Sequence, residues 1–109
     1  YLTMDAVIIG DLLVLGVDGY LHKADNTGIA AEYVALSSGA ANELIEVNSK
    51  GILNKEMAFP DASLLFLGTA GGYTNIPPTA TGTISQLIGT YNATNKTLTY
   101  NIGDWYIAE

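Results

Sequence analysis

The 109-residue chain contains few residues that could carry out chemistry, and they are not spaced to form one reactive group. Nucleophilic catalysis requires an activated nucleophile beside a base. The one histidine, His22, follows a predicted hairpin turn, and no serine lies in a Gly-x-Ser-x-Gly sequence. Glu43 and Glu46 are three residues apart in the predicted strand "ELIEV", which places them on opposite faces. We therefore expect His22 to be a solvated surface residue and the protein not to be an enzyme.

The sequence predicts no metal, cofactor or phosphate site. "DNTG" from Asp25 supplies two acceptors and a glycine but lacks the further carboxylates of a calcium loop, so an Asx turn is expected. The glycine-rich "GTAGGYT" has no P-loop lysine and is interpreted as a turn. The chain has no cysteine, which excludes disulfides and thiolate metal sites. The overlapping glycosylation sequons at Asn92 and Asn95 are interpreted as turn residues.

Aromatic residues are the candidates for binding a partner. Trp105 and Tyr106 lie near the end of the chain, and Tyr91 and Tyr100 lie on neighbouring predicted strands. Tyr and Trp are enriched at interfaces because they combine a large contact area with a polar tip, and a group of them can also bind sugars. We predict a partner interface at these four residues, with core packing as the alternative.

The charge balance excludes some classes of partner. Eleven Asp and Glu residues face four Lys and no Arg, which gives a net charge of −7. Binding to phosphate backbones or to anionic membranes requires clustered basic residues, so neither nucleic acid nor a membrane is expected. Hydrophobic residues make up 49% of the chain and charged residues only 14%, against about a quarter in soluble domains. Either a surface rich in Thr, Asn and Ser or contact with other subunits is expected to compensate for the low number of charged surface residues.

Two stretches of the chain are similar to each other. "LLVLGVDGY" (12–20) and "LLFLGTAGGY" (64–73) share their leucines, two glycines and the final tyrosine. We predict two related β units, at about 10–58 and 61–109, within a single domain that covers residues 1–109. In each unit a continuously apolar strand, predicted to be buried on both faces, leads into a glycine-containing turn.

The remaining patterns also predict strands and turns. "TLTYNI" from Thr97 alternates polar and apolar residues with a period of two. "GIAAEYVAL" from Gly28 has helical spacing, but its counterpart "GTISQLIGTY" favours a strand, and we expect a strand in both. Pro77 and Pro78 indicate an exposed loop or edge. The predicted fold class is all-β, a small β-sandwich or barrel.

The order of these motifs resembles that of a known class of virus proteins. "GDLLVLGVDGYLHKADNTGIAAEYVALSSGAANELIEVNSKGIL" resembles the small β domains of tailed-bacteriophage capsid decoration (cement) proteins. "LLFLGTAGGYTNIPPTATGTISQLIGT" is similar to a pattern of phage head-fibre, tail-fibre and decoration proteins. The resemblance implies a non-enzymatic virion protein, commonly a homotrimer, which lies on the outer capsid surface and binds the major capsid protein or anchors a fibre. It implies no catalytic residues and no cofactor.

Two other functions stay open. A tail-fibre-type module could bind a receptor or glycan through Trp105, Tyr106 and nearby tyrosines. A carrier domain of the lipoyl or biotinyl type could be modified at Lys55, which lies between the two predicted units. However, "NKEMAF" has neither the Asp-Lys-Ala nor the Met-Lys-Met pattern of those families.

Overall fold

The computed structural model describes residues 1–107 and shows an all-β protein, as predicted. Two antiparallel sheets pack face to face as a small sandwich, and the Cα atoms fill a volume of 36 × 34 × 19 Å. The strands are β1 (Leu12–Leu15), β2 (Leu21–Lys23), β3 (Tyr33–Ala35), β4 (Val47–Asn48), β5 (Lys50–Asn54), β6 (Ser63–Leu67), β7 (Tyr73–Thr74), β8 (Ile84–Asn92), β9 (Thr97–Asn101) and β10 (Trp105–Ile107). Within 1–107 no helix is long and apolar enough to cross a membrane.

The two sheets have the same strand order. The first sheet is ordered β2-β1-β3-β4, and the second contains the corresponding order β7-β6-β8-β9. The second sheet gains β5 beside β9, and β10 pairs with the first residues of β8. Four strands of each sheet thus share one order, whereas β5, which lies within the predicted unit 10–58, pairs in the second sheet.

The segment 47–54 passes from one sheet to the other. Residues of β4 pair with β3, the chain bends at Ser49, and β5 then pairs with β9. The carbonyl of Ser49 accepts a hydrogen bond from the amide of Ile102 at 2.9 Å, which ties the bend to the second sheet. A strand that changes sheets in this way forms a corner of a sandwich.

The main core lies between the two sheets. Leu12 and Val34 from the first sheet are buried with Leu65, Ile88 and other residues of the second. A second, smaller core lies on the opposite face of the first sheet, where Leu13 packs with Val7 of the N-terminal segment and with Ile45 of the β3–β4 loop. The first sheet is therefore covered on both faces, and the second sheet on one.

This difference corrects two expectations. The prediction that both apolar strands are buried on both faces is correct for Leu12 and Leu13, but Leu64 in β6 is 52% exposed. The predicted strand "ELIEV" is also wrong for residues 43–46, since only its last residue, Val47, belongs to a strand. Residues 43–46 instead form an irregular segment that helps to cover the first sheet, because Ile45 turns inward.

Candidate interaction surface

The histidine lies at the surface beside a single carboxylate. In the β1–β2 hairpin, Nε2 of His22 lies 3.0 Å from an Asp18 carboxylate oxygen, and both side chains are partly exposed. The Tyr20 amide and then His22 donate hydrogen bonds to Asp18, which hold the pKa of that carboxyl below its usual value. Residues 1–107 contain no group of three or more His, Cys, Asp or Glu side chains that could hold a metal ion.

Asp25 forms the expected Asx turn and also joins two turns. One carboxylate oxygen accepts hydrogen bonds from the Thr27 amide at 3.0 Å and the Thr27 hydroxyl at 2.8 Å. The other oxygen accepts from the Ala70 amide, in the β6–β7 turn, at 3.1 Å. The hydrogen bonds from the Thr27 amide, the Thr27 hydroxyl and the Ala70 amide lower the pKa of Asp25. Its oxygens thus bind backbone and hydroxyl donors in a purely structural arrangement.

Lys55 does not lie at a hairpin tip. Its ammonium group donates a hydrogen bond to the carbonyl of Ile9, and its side chain lies over Gly10, where a Cβ atom would be 2.8 Å from the Lys55 Cδ. A carrier lysine projects into solvent so that its modified end can reach other proteins. The contacts with residues 9 and 10 are therefore unlike those of a carrier lysine.

The four aromatic candidates do not form one surface. Tyr91 and Tyr100 are 1% and 2% exposed and belong to the core between the sheets, which corrects their assignment to a partner interface. The Tyr91 hydroxyl accepts a hydrogen bond from the Met57 amide at 2.8 Å. Burial raises the pKa of Tyr100. Both are buried because they lie on inward-facing positions of β8 and β9.

Trp105 and Tyr106 are exposed but point in opposite directions. They are neighbours in β10, and successive side chains of a strand point to opposite faces. Trp105 pairs with the buried Gln86 and so lies on the side of the core, at the sheet margin, whereas Tyr106 pairs with Ser85 on the opposite side of the sheet. The two rings therefore cannot form one flat platform.

The outward side of the second sheet, which we call the outer face, is left uncovered by the described part of the chain. Its central row crosses four strands in register, from Ile52 through Thr99 and Thr90 to Leu64. Every residue of this row is exposed, with Ile52 at 70%. Leu87 lies on the same side, because it pairs with Phe66, two residues from Leu64. The outer face is thus an exposed sheet surface of aliphatic residues and threonines.

The outer face is nearly free of charge. The strands β5 to β10 contain no Asp or Glu, and Lys50 is their single charged residue. The chain as a whole carries a net charge of −7, so its carboxylates lie elsewhere. A contact made by the outer face would avoid most of the repulsion that two acidic surfaces exert on each other.

The outer face is uncovered because the second sheet lacks the connections that cover the first. Residues 1–11 and the long β3–β4 connection, residues 36–46, lie over the first sheet, where the Val7 amide bonds to the Gly39 carbonyl at 2.8 Å. The corresponding β8–β9 connection is the tight turn of residues 93–96, in which the Asn92 side chain accepts from the Asn95 amide at 2.9 Å. Asn95 thus lies in a turn, as predicted, whereas Asn92 is the last residue of β8 and its side chain stabilises that turn.

An open groove of about 490 Å³ lies at one end of the sandwich. The β6–β7 turn, β7 and the loop of Pro77 and Pro78 form its walls. Hydroxyl groups line it, from Thr69, Thr74, Thr79 and Thr83, and among the residues that the structure describes no Asp, Glu, Lys or Arg takes part. The groove is therefore suited to a neutral polar ligand.

The outer face has only a weak signal in the sequence. In "SLLFL" four apolar residues in succession predict burial on both sides, and only the absence of a covering segment exposes Leu64. The alternation of Ile84, Gln86 and Ile88 with Leu87 is visible in the sequence, but it does not show which side is buried.

No protein-family model, no curated protein and no solved structure matches the chain.

Proposed function

We propose that the protein is a non-enzymatic structural component of a tailed-phage virion, a capsid decoration (cement) protein or a head-fibre base domain. In this role it binds the outer capsid surface, with the major capsid protein and other copies of itself as partners, most simply as a homotrimer. The observation that carries the proposal is the uncovered outer face. The corresponding face of the first sheet is covered by residues 1–11 and 36–46 of the same chain, so the second sheet is the one left for another protein.

The composition of the outer face supports a protein partner. Aliphatic and threonine side chains cost little free energy to remove from water, and the burial of each apolar group stabilises the contact. Exposed apolar patches of this kind are typical of protein contact sites. On a capsid lattice many modest contacts act together, so each single contact can be weak while the assembly holds firmly.

The test is co-sedimentation with assembled capsids of the virus that encodes the chain, together with light scattering of the free protein. Leu64→Asp and Leu87→Asp place a carboxylate on the outer face and are expected to lower the capsid-bound fraction at least tenfold. Thr81→Asp adds the same charge in an exposed loop and is expected to leave binding unchanged. Absence of wild-type protein from the capsid pellet would contradict the proposal.

A second candidate function is a tail-fibre-type module that binds a receptor or glycan. It is favoured by the exposure of Trp105 and Tyr106 and by the groove, whose hydroxyl groups suit a neutral, hydroxyl-rich ligand. Quenching of the Trp105 fluorescence by members of a glycan panel would support this function. Unchanged Trp105 fluorescence across the panel, together with intact capsid binding, would contradict glycan binding and support the structural function.

A further inference from the structure

The strand β5 has a free edge. It is the last strand of the second sheet, and within residues 1–107 it pairs with β9 alone. The Lys55 amide donates to the Lys96 carbonyl at 3.0 Å, and the Ile102 amide to the Ser49 carbonyl at 2.9 Å. In an antiparallel ladder hydrogen-bonded and non-bonded positions alternate, so the odd-numbered residues of β5 bond to β9. The N–H and C=O groups of Lys50, Ile52 and Asn54 therefore point away from the sheet.

The other sheet edges are shorter or partly covered. At β2 the chain's own N-terminal segment takes up the edge, where the Leu21 amide donates to the Leu2 carbonyl at 2.8 Å. The edge strands β4 and β7 have two residues each, and β10 has three. By contrast, β5 has five residues and contains no proline. It thus lacks most of the features that keep edge strands from pairing with other chains.

We propose that β5 pairs antiparallel with β5 of a second copy of this chain and so joins two second sheets into one continuous sheet. The register follows from the free backbone groups. Placing Ile52 opposite Ile52 of the second copy also sets Lys50 opposite Asn54 at both ends. This arrangement satisfies all three outward-facing residues of each copy, whereas a shift by two residues leaves some of them unpaired.

The side chains on this edge fit a second copy. Ile52 is 70% exposed on the outer face, and the pairing brings it against its own equivalent, an aliphatic cross-strand pair. Lys50 lies opposite an amide rather than another lysine, and β5 contains no carboxylate. The contact is isologous and closes after two copies, because each β5 edge is used once.

The pairing is independent of the proposed function and goes beyond it. It names the contact between two copies, whatever else the chain binds. If the chain also forms trimers through another surface, each trimer carries three β5 edges, and the β5 contact then links trimers to one another. Disrupting it returns a dimer to single copies and linked trimers to separate trimers, so its failure and the failure of capsid binding are separate results.

The first test changes the charge at Asn54 and measures molar mass by light scattering over a range of concentrations. Asn54→Lys places a lysine opposite Lys50 of the second copy at both ends of the contact. We expect the association constant to fall at least tenfold at low salt, although the net charge of the chain becomes less negative. Asn54→Asp creates two opposite-charge pairs and is expected to raise the constant several-fold, an effect that salt weakens.

Thr81→Lys is the matched control, since it adds the same charge in an exposed loop away from β5. Equal association constants for Asn54→Lys, Thr81→Lys and the wild type would overturn the proposal. A wild-type protein that stays monomeric at millimolar concentration would also overturn it.

The second test is hydrogen exchange of the wild type at high and low concentration. The amides of Ile52 and Asn54 face outward, so they are expected to be protected in the assembled protein and to exchange rapidly after dilution. The amide of Leu53 faces β9 in both states and serves as the internal control, because its protection does not depend on assembly. Rapid exchange of Ile52 in the assembled protein would show that another surface makes the contact.

Discussion

At the scale of single residues, buried and half-buried polar side chains hold the backbone in place through hydrogen bonds to its N–H and C=O groups. Asp25 accepts from the turn that contains Thr27 and from the turn that contains Ala70, so one carboxylate links the two sheets' hairpins. Because these hydrogen bonds favour the ionised form, they lower the pKa of Asp25 below its ordinary value of 3.8. The resulting stabilisation is present above pH 3.8 and is lost as the pH falls through the lower pKa of the folded state.

Asp25→Asn should therefore destabilise the protein at neutral pH, by about 1–2 kcal/mol, since a neutral amide cannot accept all three hydrogen bonds. The difference in free energy of unfolding from the wild type should narrow as the pH is lowered below 3.8, because the unfolded chain then binds a proton that the folded carboxylate resists. Urea unfolding at pH 7 and pH 3 measures both effects. Asp104→Asn, at an exposed position, is the control, and an equal pH dependence in both variants would contradict this role of Asp25.

At the scale of elements, β8 organises the second sheet. It pairs with β6, β9 and β10, and a register shift opposite Leu65 and Phe66 leaves Ile88 as an extra residue in the ladder. Bulges of this kind bend a strand and change which side chains turn inward. Inward-facing positions of β8 are therefore even-numbered up to Ile88 and odd-numbered at Tyr91, and Gly89 lies between these two residues.

Gly89 lies so close to β9 that no side chain fits. A Cβ atom there would be 2.8 Å from the Tyr100 Cα and would also collide with the Thr99 carbonyl oxygen. Gly89→Ala should lower the free energy of unfolding by about 1–3 kcal/mol or more, because the backbone of β9 must move. Gly103→Ala is the matched control, since a Cβ at Gly103 meets no atom within 4 Å. Equal urea midpoints for the two variants would rule out this close approach.

Local sequence patterns predicted the positions of strands and turns better than they predicted which strands pair with each other. The Asp18-Gly19 hairpin forms because Gly19 adopts a φ of 83° and the Asp18 side chain accepts from the Tyr20 amide. The alternation in β9 correctly predicts that Leu98 and Tyr100 lie on one side. Burial of Tyr91 and Tyr100 could not be predicted, since it depends on which face the first sheet covers. The transfer of β5 to the second sheet rests on pairs such as Leu53 with Leu98, which are far apart in sequence.

At the scale of the whole molecule, the two sheets are bound together too tightly to act as separate units. Leu12 and Ala31 share one core with Leu65 and Ile84. The bend at Ser49 also carries one strand from the first sheet into the second. We therefore expect the described fold to unfold as one cooperative unit, although the sequence contains two similar stretches.

Gln86 provides the sharpest test of this cooperativity. It is 1% exposed, and its amide accepts from the Ala31 N–H at 2.8 Å and donates to the Ala31 carbonyl at 2.9 Å and the Gly103 carbonyl at 3.0 Å. Gln86→Met keeps the length of the side chain but leaves these buried backbone groups unpaired, which should cost about 2–4 kcal/mol.

Because Gln86 belongs to β8 and Ala31 leads into β3, the loss acts on both sheets at once. Hydrogen exchange should show that the slowest amides of β1 and of β8 in Gln86→Met lose protection by the same factor, and calorimetry should show a single transition at a lower temperature. Thr90→Ala on the outer face serves as the control, with a change within about 0.5 kcal/mol. Loss of protection confined to β8 would mean that the two sheets unfold separately. The two similar stretches would then belong to two separate cooperative unfolding units.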